Sequence, residues 1–141
     1  MLKILLPIDG SDNSSKAVKK MVEMMDWYKA APEIHLLNVQ FPLDGNVSLF
    51  IPQDDIKQYH QEEGMKCLQK AAQLLDQEQI KYSYHITIGD PAMMIEQFAA
   101  NLNCDLVIIS ARGHGVIKNL LLGSVVSKVI QLSSTPVILV K

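Results

Sequence analysis

Five short runs rich in apolar and β-branched residues recur along the chain, and every gap between two of them holds a stretch with helical spacing. They are Leu2 to Ile8, Glu33 to Gln40, Lys81 to Ile88, Asp105 to Ser110 and Thr135 to Lys141. This alternation constrains the fold more than any other feature. Strands joined by helices are parallel neighbours, because a parallel pair needs a crossover, and right-handed crossovers place helices on the sheet faces. The first run is almost continuously apolar, the mark of a strand covered on both sides. The expectation is therefore α/β: a three-layer α/β/α domain around a five-stranded parallel sheet. Neither linker nor internal repeat interrupts it, so residues 1–141 read as a single domain.

The gaps carry their own punctuation. Asp9 to Ser15 (DGSDNSS) is a turn-and-cap cluster, followed by Ala17, Val18, Met21, Val22, Met25 and Tyr28 at helical spacing. Met21, Met24, Met25, Trp27 and Tyr28 read as helix packing. Pro42, Gly45 and Pro52 mark Phe41 to Gln53 as a surface loop. Asp54 to Gln77 reads as a long helix with Ile56, Tyr59, Leu68, Ala71, Ala72 and Leu75 turned inward. Gly64 is expected to weaken its middle by about 1 kcal/mol relative to alanine. Gly89-Asp90-Pro91 is a compact helix start, with Asp90 as cap and Pro91 at the first helical position, and the helix extends to about Leu102. Val125 to Leu132 forms the last helix.

Composition removes several classes of function. A chain of 141 residues with 48% hydrophobic and 20% charged residues suits one globular domain. A formal net charge of −2 argues against a general nucleic-acid or membrane surface. No run approaches the roughly 20 apolar residues of a membrane span, and MLKILLPIDG lacks a cleavage-site pattern and reads as a strand. Cys67 and Cys104 match no metal or redox spacing and read as reduced thiols of a cytoplasmic protein. His35, His60 and His85 form no pair with metal-ligand spacing.

Chemistry concentrates in Ser110 to Ser124 (SARGHGVIKNLLLGS). In an open parallel sheet, ligands gather beyond the carboxyl ends of the strands where strand order reverses. If the first strand is central and the fourth lies beside it, Asp9 faces Ser110 to Gly113 across one crevice, with Val39 alongside. Gly113 lets backbone approach a ligand. Gly123-Ser124 opens a helix whose first amides lack internal partners, an anion site suited to phosphate. The nine residues His114 to Leu122 suffice to arch over it. Arg112 either neutralises phosphate charge or is an ordinary solvated residue, Lys118 reads as a solvated basic residue, and His114 reads as a flexible exposed side chain. Leu120 to Leu122 either dock on the domain or form a partner surface. On these residues alone, an ordinary turn without a ligand stays open.

A phosphoacceptor or nucleophilic reading of Asp9, Asp12 and the adjacent serines gives way to the helix-cap reading, and no Gly-x-Ser-x-Gly elbow is present. The last run, Val137 to Val140, is strongly β-forming and has no following helix to shield it. An edge strand of this kind invites a two-fold homodimer through strand five.

Taken whole, the chain resembles the universal stress protein family, and within it the ATP-binding subgroup. The family signature Gly-x2-Gly-x9-Gly-Ser/Thr stands here as Ser110-x2-Gly113-x9-Gly123-Ser124. Ile4 to Ser11, Leu36 to Val39, Gly89 to Pro91, Cys104 to Ser110, Leu120 to Val125 and Thr135 to Val140 agree in order. The resemblance implies the adenine nucleotide alpha hydrolase-like fold, strand order 3-2-1-4-5, and a pocket for ATP, or for ADP or AMP, with Mg2+ or Mn2+ bridging phosphates. It implies that Pro7, Ile8 and Asp9 border adenine and ribose, Asp9 holding a ribose hydroxyl, and that Val39 flanks the base. Ile109 and Ser110 would start the phosphate loop, Arg112 and Gly113 would line it, and Gly123, Ser124 and Val125 would receive phosphates. Two positions depart from the pattern: Ser110 replaces a glycine, and Val126 stands where a small or hydroxyl residue is common.

The reading that follows is a homodimeric nucleotide-binding protein of stress response or signalling, with protein partners the sequence does not identify and at most weak ATPase activity. A nucleotide-free dimeric interaction module and a slow ATP hydrolase or phosphotransferase are its rivals.

Overall fold

The computed structural model describes residues 1–114 and 122–141. Its elements run β1 (Lys3–Pro7), α1 (Asp12–Glu23), a 3-10 turn (Met25–Trp27), β2 (Glu33–Gln40), α2 (Gly45–Ser48), α3 (Gln53–Gln77), β3 (Tyr82–Ile88), α4 (Pro91–Asn101), β4 (Leu106–Ser110), α5 (Ser124–Leu132) and β5 (Val137–Val140). The five strands form one parallel sheet in the order β3-β2-β1-β4-β5. Consecutive strands run outward from β1 to one edge, and the chain then crosses back to β4 and the other edge. The reversal falls between β1 and β4, where the carboxyl ends diverge.

Two apolar layers hold the helices to the sheet. Side chains alternate across each strand. Ile4, Leu6, Ile34, Leu36 and Ile108 pack with Val18 and Met21 of α1 and Leu68, Ala71 and Leu75 of α3. Leu5, Leu37, Val107 and Ile109 face the other way, against Ala92, Ile95 and Ala99 of α4 and Val126 and Val129 of α5. The central strands are apolar on both faces because both faces are covered.

Several expectations change in the structure. The segment after β2 contains one helical turn, α2, where a loop throughout was expected. In α3 the buried side chain of the second turn is His60, not Tyr59, which is 46% exposed. Gly64 is buried because Ile86 of β3 sits against it: a Cβ there would lie 2.6 Å from the Ile86 side chain. Its role is close helix–sheet packing, which the propensity argument missed. Trp27 does not pack inward; it is 72% exposed on the 3-10 turn, after α1 has ended.

Candidate functional site

The turn after β1 is built around Asp9. Its Oδ1 accepts hydrogen bonds from the Ser11 amide at 2.9 Å and the Ser11 hydroxyl at 2.5 Å. Ser11 in turn caps α1, its Oγ accepting from the Ser14 amide at 3.1 Å. Gly10 adopts φ +85°, a left-handed conformation that an L side chain rarely tolerates. One oxygen of Asp9 is thus committed to local order. The other, Oδ2, is directed toward Gly113, where an added Cβ would stand 2.5 Å from it. A side chain at 113 would therefore displace the Asp9 carboxylate from this position.

Across the reversal, β4 ends at Ser110, and the chain leaves the sheet before returning as α5. The Gly123 amide donates to the Ala111 carbonyl at 2.7 Å, so the two arms of this excursion are tied at their base. Two further bonds lash its first arm to the β1 turn. Asn13 Nδ2 donates to the Gly113 carbonyl at 3.1 Å, and His114 Nε2 lies 2.6 Å from the Asp9 carbonyl, which accepts its proton. His114 is therefore exposed but anchored, which corrects the expectation of a flexible side chain. Lys118, Leu120 and Leu121, singled out in the sequence, lie outside the described residues; Leu122 is described and lines the same cavity.

Helix α5 opens without a side-chain cap, Gly123 occupying the cap position at φ −70°. Any residue adopts that φ, and a Cβ on Gly123 would meet only ordinary contacts at 3.6 Å or more. Neither backbone conformation nor internal packing requires glycine there. What glycine leaves is open access to the first-turn amides of Ser124, Val125 and Val126, which a helix of nine residues cannot satisfy from within.

These elements enclose a cavity of about 470 Å³, within the range of small-molecule sites. The eleven residues that the family resemblance assigns to the pocket line it: Pro7, Ile8 and Asp9 from the end of β1, Val39 from β2, Ile109 and Ser110 from β4, Arg112 and Gly113 beyond it, and Gly123, Ser124 and Val125 at α5. Sequence reasoning missed the apolar half. Leu37, Phe41, Pro91 and Ile95 also line the cavity, and two-residue periodicity extended from Val39 would have found Leu37 and Phe41. Among the described lining residues Asp9 is the sole carboxylate, and it faces Arg112 and His114.

The two departures from the family signature have structural answers. Ser110 is 6% exposed, and its hydroxyl donates to the Arg112 carbonyl at 2.7 Å. Strand alternation places its side chain on the face opposite Ile109, and the residue lines the cavity with its hydroxyl already engaged by the chain's own backbone. Val126 is 3% exposed in the core beneath α5. Hydroxyls at the helix start come instead from Ser124 and from Ser127, whose Oγ donates to the Gly123 carbonyl at 2.9 Å.

Cys67 stands beside Gly10, and burial followed by the nearby Asp9 charge pushes its thiol up, which keeps it protonated. Among the described residues, no cluster of three or more His, Cys, Asp or Glu side chains is arranged to hold a metal ion. No helix among them is long and apolar enough to cross a membrane.

A parallel sheet with the order β3-β2-β1-β4-β5, and a crevice at its switch point with a bare helix start on one wall, defines a doubly wound α/β protein whose cavity lies where such sheets take ligands. Its family follows from comparison: the profile described as "Universal stress protein family" matches residues 1–141, and the chain belongs to that family. It is 31% identical to the universal stress protein YxiE of Bacillus subtilis, over 99% of this chain and 98% of the relative. The solved structure of hypothetical protein MJ0577 superposes with a TM-score of 0.84 at 29% identity, covering 99% of this chain and 95% of that one. Solved universal stress proteins holding cAMP, AMP or dAMP share the fold at 18–22% identity and TM-scores of 0.67–0.72, covering 99–100% of this chain and 92–98% of theirs. The fold is the three-layer, adenine nucleotide alpha hydrolase-like one, with strand order 3-2-1-4-5.

Proposed function

We propose that this protein binds an adenine nucleotide, ATP or its di- or monophosphate, in the crevice between β1 and β4, and uses it as a regulatory or stabilising ligand in cytoplasmic stress response or signalling. The observation that carries the reading is the uncapped start of α5, which opens into the cavity although nothing in the protein requires Gly123. Adenine nucleotides held by solved universal stress proteins support the same reading.

The residues divide the work by chemistry. The apolar wall of Leu37, Val39 and Ile95 receives the base. The free oxygen of Asp9 accepts a hydrogen bond from a ribose hydroxyl. The amides of Ser124 and Val125, the Ser124 hydroxyl and the Arg112 guanidinium receive the phosphates; the helix dipole favours negative charge at that point. A divalent ion, where the ligand is a triphosphate, neutralises the phosphate tail. No side chain is assigned as a catalytic base, and any ATP turnover is slow.

The dimer belongs to the same proposal. The carbonyls of Pro136 and Val140 accept from the amides of Val107 in β4 and of Ala111 just beyond it. Alternation therefore directs the backbone groups of Val137 and Leu139 to the open edge of the sheet, where β5 of a second copy satisfies them. Sedimentation velocity reads this directly; a monomer at all concentrations removes it.

Mass and absorbance checks for retained nucleotide, then calorimetric titration of the stripped protein with ATP, ADP and AMP, test the binding. Saturable binding that Gly123→Val abolishes is the expected result. A folded protein that binds none of the three contradicts the reading and favours a nucleotide-free interaction module.

A further inference from the structure

Leu37, Val39 and Phe41 lie two residues apart on β2 and its extension, so their side chains share one face of the sheet. All three line the cavity. Leu37 is fully buried, Val39 half-buried and Phe41 69% exposed. The row rises from the floor of the site to its mouth, and the residue at the mouth is aromatic.

Phe41 is also held in place by its surroundings. The Gly89 amide donates to the Gln40 carbonyl at 3.0 Å, and Gln40 Nε2 donates to Asn38 Oδ1 at 2.6 Å, which fixes the chain up to residue 40. Pro42 follows, and a residue before proline is confined to extended conformations. The phenyl group thus stands on a restrained backbone with most of its surface in water. Pro91 and Ile95 of α4 border the same cavity and extend its apolar character.

We propose that Phe41 is the specificity-determining residue of this site: its ring stacks on a planar base and selects ligands that carry one. The inference rests on the nucleotide reading above and deepens it. Amides at a helix start hold a phosphate whatever it is attached to, so they do not separate a nucleotide from a sugar phosphate. An aromatic face at the mouth does, because every base has a π-face to offer it.

Calorimetry on the full chain tests this with three variants, Phe41→Ala, Phe41→Leu and Phe41→Trp, against AMP, ATP and ribose 5-phosphate. Phe41→Ala and Phe41→Leu are expected to weaken AMP and ATP on the order of tenfold, and Phe41→Trp to keep wild-type affinity. Ribose 5-phosphate affinity does not change in any of them. In a Trp27→Phe background, the emission of Phe41→Trp is quenched by AMP and not by ribose 5-phosphate. Circular dichroism confirms folding, which an exposed side chain at this position does not govern. Saturable wild-type nucleotide binding that Phe41→Leu leaves unchanged overturns the inference and leaves the nucleotide reading standing. A wild-type protein that binds no adenine nucleotide overturns both.

Discussion

Helices α4 and α5 both begin at the carboxyl end of the sheet and pack on the same face, yet their first turns are completed differently. At α4 the chain supplies its own anion: Asp90 accepts from the Met93 amide at 3.1 Å and from Lys128 of α5 at 3.1 Å. The Met93 amide, then Lys128, holds the Asp90 carboxyl below the usual carboxylate range. At α5 the cap position is Gly123, without a side chain to close the turn. One helix start is finished by the protein's own carboxylate; the other presents uncapped amides to the cavity, where the proposed nucleotide would place its phosphates. The two turns hold equal positions in the fold, and the difference between them is open to direct manipulation.

The largest effect is expected from converting one turn into the other. Gly123→Asp gives α5 the cap that α4 already has. Its carboxylate occupies the place of a phosphate, and adenine-nucleotide affinity should fall by on the order of 100-fold or more in calorimetry. Stability should hold or rise by a few tenths of a kcal/mol, since aspartate is a slightly better cap than glycine. Loss of both affinity and stability would mean that Gly123 is structural after all.

The reciprocal change is smaller. Asp90→Ala should lower the midpoint of chemical denaturation modestly, as loss of a helix cap does, and leave nucleotide affinity within error. A large loss of binding would join α4 to the site and erase the contrast.

A third test uses pH on the α4 side. Glu33 Oε1 lies 2.7 Å from His35 Nε2, and His35 Nδ1 lies 3.0 Å from His85 Nε2, with His85 against Phe98 of α4. The carboxylate accepts the His35 Nε2 proton, so a neutral His35 accepts at Nδ1 from His85. Burial, then the nearby His35, lowers the pKa of His85 from its ordinary 6.5. A base depressed on folding takes up its proton more readily when unfolded. Its contribution is therefore complete above pH 6.5 and declines as pH falls from there toward the lowered value. The melting temperature should drop across that window, and His85→Gln, which keeps a donor but does not titrate, should shallow the slope. An unchanged slope would remove His85 from the acid response.

The smallest effect concerns Ser110. Its hydroxyl is already engaged by the Arg112 carbonyl, so Ser110→Gly should change nucleotide affinity by no more than about threefold. A strong gain would show that the serine obstructs the phosphates.

How much of this was legible beforehand follows from what each signal depends on. The alternation of apolar runs and helical stretches fixes layer and connectivity, because it depends on local periodicity alone. The Gly-Ser turn at α5 was legible for the same reason: the residues that shape it are contiguous. Contacts between distant segments were not. Gly64 looked like a weak point in a helix until Ile86, brought over by β3, explained it. Extending the phase of Leu75, Ala71 and Leu68 back through Gly64 leads to His60, and reading Tyr59 as inward was an error of one position. Phe41 was lost inside a segment read only for its breakers. The anchoring of His114 on the Asp9 carbonyl joins residues 105 positions apart, and no local pattern announces it.

The measurement that bears most directly on the central claim is an amide-resolved NMR titration with AMP and ATP. Saturable, matching shifts at the Ser124, Val125 and Gly113 amides, with the Met93 amide at the start of α4 unmoved, are what the open first turn of α5 predicts. Nucleotide binding that leaves the Ser124 and Val125 amides untouched would contradict it.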